Sequence, residues 1–168
     1  MIQFIVALMA LAIGVLVYLL DRPGTSVYLI PDGWSPGGGV APVFGELGGF
    51  LPTFAHTFAF TLFTSALLEP WRWAAVVACA AWWFVDSLFE IAQSDAWSGV
   101  IAAHVPVWFA DWPLLDNVAG YFVGGHFDWR DLVSISVATV SAFIVIRLSH
   151  RDRQKKPRSV VRGRGLEE

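Results

Sequence analysis

The chain has 168 residues, of which 56% are apolar and only 15% are charged, and its formal net charge at pH 7 is −3. A typical soluble domain carries about 25% charged residues, so this composition excludes an ordinary water-soluble domain and predicts a membrane protein. Cys79 is the single cysteine. An internal disulfide is therefore excluded, and nothing indicates a thiolate metal site.

The apolar residues fall into segments of the length that a bilayer requires. A helix needs about 20 mostly apolar residues to cross the hydrocarbon core, and four segments meet this condition: residues 1–20, 51–68, 71–91 and 132–148. The first lacks the basic start and the small-residue cleavage site of a signal peptide. We therefore predict an all-α polytopic membrane protein with four transmembrane helices. Residues 1–149 form its single domain, and residues 150–168 form a basic, flexible tail.

The connections between the predicted spans differ in character. Residues 21–50 are rich in Gly and Pro, which is typical of an irregular loop. Residues 94–130 are apolar but interrupted by Pro106, Pro113 and several aspartates. We predict short interfacial or re-entrant helices there rather than a fifth span, with the tryptophans of this segment at the headgroup level.

The basic residues predict the orientation of the chain. Eight of the eleven Lys and Arg residues lie between Arg147 and Arg164, and segments rich in Lys and Arg stay on the cytoplasmic side. Both termini are therefore predicted to be cytoplasmic, and residues 21–50 and 94–130 are predicted to lie outside. The basic tail suits anionic lipids of the inner leaflet, and no nucleic-acid partner is expected.

In this topology, ionisable side chains from three helices reach the same depth near the outer surface. His56 comes from the second span, and Asp86, Glu90 and Gln93 come from the last two turns of the third; Asp128 and Asp131 lie where the fourth begins. A charged side chain at membrane depth costs about 2.5–3.5 kcal/mol, so it usually faces a bundle interior or a water-filled cavity. We predict an outward-opening polar pocket between these three helices.

Simpler explanations stay open for several of these residues. Asp128 and Asp131 suit the start of a helix, where the helix dipole favours negative charge. His126 suits an ordinary position in the outer loop, and Arg130 suits a counter-charge to Asp128 and Glu90. On the fourth span, Ser134, Ala138 and Ala142 make a stripe of small residues, which predicts close packing against a neighbouring helix.

Three short motifs resemble the VanZ-like family of small bacterial membrane proteins. They are His56 in FAHTFAF, Glu90 with Gln93 in FEIAQ, and Asp128 with Asp131 in GGHFDWRDL. The resemblance implies a bacterial inner-membrane protein with an outer-face site that acts on lipid or cell-envelope components. The family's namesake is associated with low-level resistance to glycopeptide antibiotics of the teicoplanin type. The ligand-binding residues predicted from the motifs and the topology together are His56, Asp86, Glu90, Gln93, His126, Asp128, Arg130 and Asp131.

Three hypotheses of function follow. The first is a binding protein for a cell-envelope lipid or lipid-linked glycan. The second is a membrane-embedded hydrolase with a divalent metal ion as cofactor, in which Glu90 and Asp128 are the catalytic candidates. Its candidate metal ligands are His56, Glu90, Asp128 and Asp131, an N/O set suited to zinc, manganese or iron, or to calcium if the carboxylates dominate. The third is a structural or accessory subunit that docks to a larger membrane complex.

Overall fold

The computed structural model describes residues 2–21, 41–113 and 115–155. These residues form an all-α bundle. Its elements are α1 (Ile2–Asp21), α2 (Leu47–Leu67), α3 (Ala74–Ala92), α4 (Ser98–Ala103), a 3-10 helix (Val107–Asp111), α5 (Val118–Gly124) and α6 (Trp129–Lys155). Within the described ranges, α1, α2, α3 and α6 are long and apolar enough to cross a membrane. The predicted fold class, with four such helices and short helices between the last two, is confirmed.

Three helices differ from their predicted bounds by three residues or more, and one of them is α3, which begins at Ala74 rather than at residue 71. Helix α6 continues past residue 148 to Lys155, because no glycine or proline follows residue 148 before Pro157. Helix α2 begins at Leu47, within the Gly-rich stretch that was predicted to be loop. The predictions for residues 22–40 and 156–168 lie outside the described residues.

The early start of α2 is explained by a contact with the end of α1. The Asp21 carboxylate accepts hydrogen bonds from the backbone N–H groups of Val43 and Phe44, at 2.7 and 2.9 Å. A Cβ added at Gly48 would lie 2.8 Å from Asp21 Oδ2. Glycine therefore allows the first turn of α2 to approach the last residue of α1, and Asp21 fixes the entry of the chain into α2.

Helix α1 packs antiparallel to α2. The rings of Phe4 and Phe63 are 5.5 Å apart at one end of the pair. A Cβ added at Gly14, nearer the other end, would lie 3.2 Å from the Ala55 Cβ. Small residues at this crossing let the two backbones come close, which is the usual way in which membrane helices gain packing contacts.

Helices α2 and α6 form the centre of the bundle, and α3 packs against both. Leu62 of α2 and Ala138, Ala142 and Ile146 of α6 are fully buried. The Ser134 hydroxyl donates a hydrogen bond to the Phe50 carbonyl at 3.0 Å. The small-residue stripe predicted on the last span therefore lies in the helix contact.

Substitution at this contact is expected to destabilise the bundle in proportion to burial. Ala138 is 0% exposed, whereas the adjacent Val137 is 51% exposed. Because overpacking a filled core costs about 1–3 kcal/mol, Ala138→Leu should lower the free energy of unfolding by that amount and Val137→Leu should leave it nearly unchanged. Unfolding in detergent, followed by circular dichroism, measures both. Equal stability of the two variants would contradict the packing described.

Candidate functional site

The two ends of the bundle differ in their connections. The ends of α1 and α3 and the starts of α2 and α6 lie at one end, where residues 22–46 and 93–128 connect the long helices. We call this the loop end. At the opposite end, residues 68–73 make the short connection between α2 and α3, and we call it the turn end. The predicted site residues lie toward the loop end.

His56 of α2 contacts Asp86 of α3. The distance from His56 Nδ1 to Asp86 Oδ2 is 3.5 Å, and the Thr57 hydroxyl donates a 2.6 Å hydrogen bond to the same oxygen. The Asp86 side chain is only 11% exposed, whereas that of His56 is 48% exposed. Asp86 is thus held from behind by a buried hydroxyl, and the imidazole beside it is accessible.

Aromatic rings surround His56. Its ring centroid lies 4.5 Å from that of Phe60 and 5.7 Å from that of Trp82. The Trp82 Nε1 in turn donates a 2.8 Å hydrogen bond to the Thr64 hydroxyl. These contacts limit the positions that the imidazole can take, so that its polar edge stays near Asp86.

Glu90 of α3 fastens the start of α6. This residue is 8% exposed, and its Oε1 accepts a 2.6 Å hydrogen bond from the Asp128 N–H. Asp128 immediately precedes α6, and its Oδ1 accepts a 2.9 Å bond from the Arg130 N–H, which is the geometry of a helix N-cap. Asp131, in the first turn of α6, lies close enough to repel the Glu90 carboxylate.

Gln93, one turn after Glu90 at the end of α3, contacts Tyr121 and Gly125 at the loop end. A Cβ added at Gly125 would overlap the Gln93 side chain, so glycine lets the backbone approach this side chain as it is placed here. Tyr121 lies on α5, outside the long helices. Partial burial is the main cause that raises the pKa of its phenol, whereas a hydrogen bond with the Gln93 side chain lowers that pKa. Tyr121 therefore remains a neutral phenol.

A cavity of about 630 Å³ lies beside these side chains. Much of its lining is apolar and includes Leu11, Val15, Val85, Phe89 and Ile135. The polar side chains on its wall are Tyr18, Thr53, His56, Asp86, Glu90 and Tyr121. Such a cavity, apolar with a few convergent polar groups, is the usual form of a small-molecule site.

The structure places the predicted site residues in three groups. His56, Asp86 and Glu90 line the cavity. Gln93, Asp128 and Asp131 lie around Glu90 at the junction of α3 and α6, and none of them lines it. His126 and Arg130 are exposed and lie away from the cavity wall.

Two helices contribute to the cavity that the sequence analysis did not include. Helix α1 supplies Gly14 and Tyr18, and α5 supplies Tyr121. Gly14 and Tyr18 are four residues apart and so share one face of α1. The sequence signal for this face was a glycine and a tyrosine four residues apart in a largely aliphatic helix.

The candidate metal ligands do not gather at one point. Among residues 2–21, 41–113 and 115–155, no group of three or more His, Cys, Asp or Glu side chains is arranged to hold a metal ion. His56 lies against Asp86, whereas Glu90 accepts from the backbone of Asp128. The predicted set of His56, Glu90, Asp128 and Asp131 is therefore not assembled as a coordination site in this arrangement.

Comparisons with protein-family models, with curated proteins and with solved structures found no match to this chain. Its four long apolar helices make it a multi-pass membrane protein. The resemblance to the VanZ-like family stays a prediction from the three motifs.

Proposed function

We propose that this membrane protein binds a cell-envelope lipid or lipid-linked glycan in the cavity at the loop end. The observation that carries the proposal is the composition of the cavity wall, where an apolar lining adjoins the His56–Asp86 pair and Glu90. The apolar part suits a hydrocarbon chain, and the polar part suits a head group. An amphiphile fits both, whereas a purely polar or a purely apolar ligand would fit only one.

The polar wall favours a head group that is rich in hydroxyls. Asp86 and Glu90 are hydrogen-bond acceptors when ionised, and a sugar offers several hydroxyl donors. The same carboxylates would repel a bare phosphate placed between them. The rings of Trp82 and Phe89, which also line the cavity, provide flat apolar surfaces for the faces of a sugar. A lipid-linked glycan with its sugar beside Asp86 satisfies these conditions.

The proposal includes a location. The basic residues that follow Arg147 support an orientation with both termini in the cytoplasm, which would turn the loop end to the outer face of a bacterial inner membrane. Glycan carriers of the cell envelope present their sugars at that face. The VanZ-like motifs extend the proposal to a part in resistance to glycopeptide antibiotics of the teicoplanin type.

The test compares two lipids and two variants. A polyprenyl-linked disaccharide and the polyprenyl phosphate of the same chain length are titrated against the detergent-solubilised protein by native mass spectrometry. The disaccharide lipid should bind at least about tenfold more tightly, because hydrogen bonds to charged groups contribute about 1.5–3 kcal/mol. Val15→Trp should block binding, since Val15 lines the cavity.

Leu16→Trp is the matched control. Leu16 neighbours Val15 on α1, is 46% exposed and does not line the cavity, so its replacement should leave the affinity unchanged. Equal affinity for the two lipids, together with equal binding by the two variants, would refute the proposal.

A second candidate is that the same site hydrolyses the lipid that it binds. The contact between His56 and Asp86 favours it, because an imidazole oriented by a carboxylate is a common general base. Release of the sugar or the phosphate by wild-type protein, and its loss in His56→Gln, would distinguish hydrolysis from binding. The metal-dependent hydrolase and the accessory subunit stay predictions that no contact among the described residues favours.

A further inference from the structure

A second cavity, of about 840 Å³, lies at the turn end of the bundle. The connection between α2 and α3 forms one side of it, and the last turns of α6 form the other. Arg72, Arg147, Arg151 and His150 line it, together with the carboxylate of Glu69. Its charge is thus opposite to that of the loop-end cavity, which is lined by Asp86 and Glu90.

Two of these arginines are held against aromatic rings. The Arg72 guanidinium lies 4.7 Å from the centroid of the Trp73 ring, and the Arg147 guanidinium lies 5.1 Å from that of Phe143. Cation–π contacts of this kind restrict the long side chains. They leave the edge of each guanidinium, with its N–H donors, available to an anion.

The acidic residue of the cavity, Glu69, contacts the histidine on the opposite side of the cavity. Glu69 Oε1 lies 3.6 Å from His150 Nδ1. Among the residues whose side chains the structure describes, no carboxylate oxygen comes within 4.0 Å of a nitrogen of Arg72 or Arg147. Three arginines against the one carboxylate of Glu69 give the described lining a positive charge, which attracts an anion.

The position of the cavity indicates the source of that anion. Trp71, which lines the cavity, and Trp73, beside it, are 50% and 48% exposed, and tryptophan is enriched at the headgroup level of membranes. The cavity lies where α2 ends and α3 begins, which is where these spans leave the hydrocarbon core. Ala74, Ala75 and Phe143 supply an apolar wall beside the arginines. At this level the arginines can bind a lipid phosphate while the apolar wall contacts the acyl chains of the same lipid. A membrane lipid is therefore the source of the anion.

We propose that the turn-end cavity is a binding site for the phosphate headgroup of an anionic membrane lipid, held by Arg72 and Arg147. Basic pockets between membrane helices recognise such headgroups, and a guanidinium can donate two parallel hydrogen bonds to one phosphate. The site is separate from the loop-end cavity, so it does not depend on the function proposed above. A bound lipid would join the connection between α2 and α3 to the end of α6.

The experiment uses native mass spectrometry of the full chain in detergent. Phosphatidylglycerol and phosphatidylcholine with identical acyl chains are titrated separately, and inorganic phosphate is added as a competitor at the concentration of the lipid. Phosphatidylglycerol should bind more tightly than phosphatidylcholine, and inorganic phosphate should not displace it. Each arginine near a lipid surface contributes about fivefold in affinity. Arg72→Gln and Arg147→Gln should therefore each weaken phosphatidylglycerol binding about fivefold, and the double variant should weaken it by roughly twenty- to thirtyfold.

Two further variants separate this site from general charge attraction and from misfolding. Arg130→Gln removes the same charge at the loop end, where Arg130 is exposed and outside both cavities, and should change the affinity less than twofold. Arg147→Lys keeps the charge but loses the paired N–H donors of the guanidinium, so its affinity should lie between those of the wild type and Arg147→Gln.

Three results would overturn the proposal. They are equal binding of the two lipids, a loss in Arg130→Gln as large as that in Arg147→Gln, and displacement by inorganic phosphate. The last would assign the cavity to a free anion instead.

Discussion

Asp86→Asn is expected to weaken binding of the polyprenyl-linked disaccharide by about ten- to a hundredfold. Asparagine has nearly the same shape and keeps an oxygen that can accept the Thr57 hydrogen bond, so the cavity should survive. What it loses is the negative charge that strengthens hydrogen bonds from the ligand, which is worth about 1.5–3 kcal/mol. Titration by native mass spectrometry measures the change. Asp95→Asn, an exposed position beyond the end of α3, is the control of equal charge and should bind as the wild type does.

A double-mutant cycle tests whether His56 and Asp86 act as a pair. If the imidazole contacts the ligand in an orientation set by Asp86, His56→Ala combined with Asp86→Asn should cost less than the sum of the two single losses. Coupling of about 0.5–3 kcal/mol is typical of residues in contact. Strictly additive losses would show that the 3.5 Å contact has no part in binding.

The second large effect concerns the stability of the bundle at Glu90. Glu90→Leu should be less stable than Glu90→Gln by about 1–3 kcal/mol, the cost of a buried donor that loses its partner. Both variants remove the charge, and with it the repulsion from Asp128 and Asp131. Only glutamine keeps an oxygen that can accept from the Asp128 N–H. The difference between them therefore includes the loss of this hydrogen bond, which the Asp128 amide reports directly.

Two measurements check this expectation. Unfolding in detergent gives the difference in stability, and hydrogen exchange reports on the Asp128 amide directly. Exchange at that amide should be faster in Glu90→Leu than in Glu90→Gln. Equal stability combined with equal exchange would mean that the 2.6 Å bond does not hold the start of α6 in place.

The spans could be predicted from the sequence because their signal is local. A run of about 20 apolar residues indicates a membrane helix whatever its neighbours are. The start of α2 could not be predicted in this way, because it depends on the Asp21 carboxylate and on the absence of a side chain at Gly48. These residues are distant in the sequence, and only the folded chain brings them together.

The sequence could predict which side chains reach the loop end of the bundle, but not which of them contact one another. Topology alone indicated that His56, Asp86 and Glu90 reach the same end of the bundle, and all three line one cavity. Which acid contacts His56 depends on how α2 and α3 are rotated about their axes. The sequence predicts His56 and Glu90 as joint candidate metal ligands, whereas the histidine lies against Asp86.

The part of α1 in the site was missed for a related reason. Helix α1 is almost entirely aliphatic, so its sequence gives little indication of which side faces the bundle. That side is defined by Gly14, which meets Ala55, and by the cavity beside Tyr18. Small residues determine this contact because they allow the two helix backbones to approach closely. A hydrophobicity pattern gives no information about that approach.

The hydrogen bond between Glu90 and Asp128 also has a consequence for the segment that lies between them. This segment forms an arch, with α4 packed against α5 and Phe122 stacked on Phe89 at 5.8 Å. The two ends of this segment are close together, since the Glu90 carboxylate near the end of α3 accepts a hydrogen bond from the Asp128 N–H at the start of α6. Residues inserted in the middle of this segment would lengthen it at little entropic cost and would leave the hydrogen bond between its ends in place. Insertions in the middle of this segment are therefore expected to leave the start of α6 in place, whereas changes at Tyr121 or Phe122 would reach α3 and the cavity.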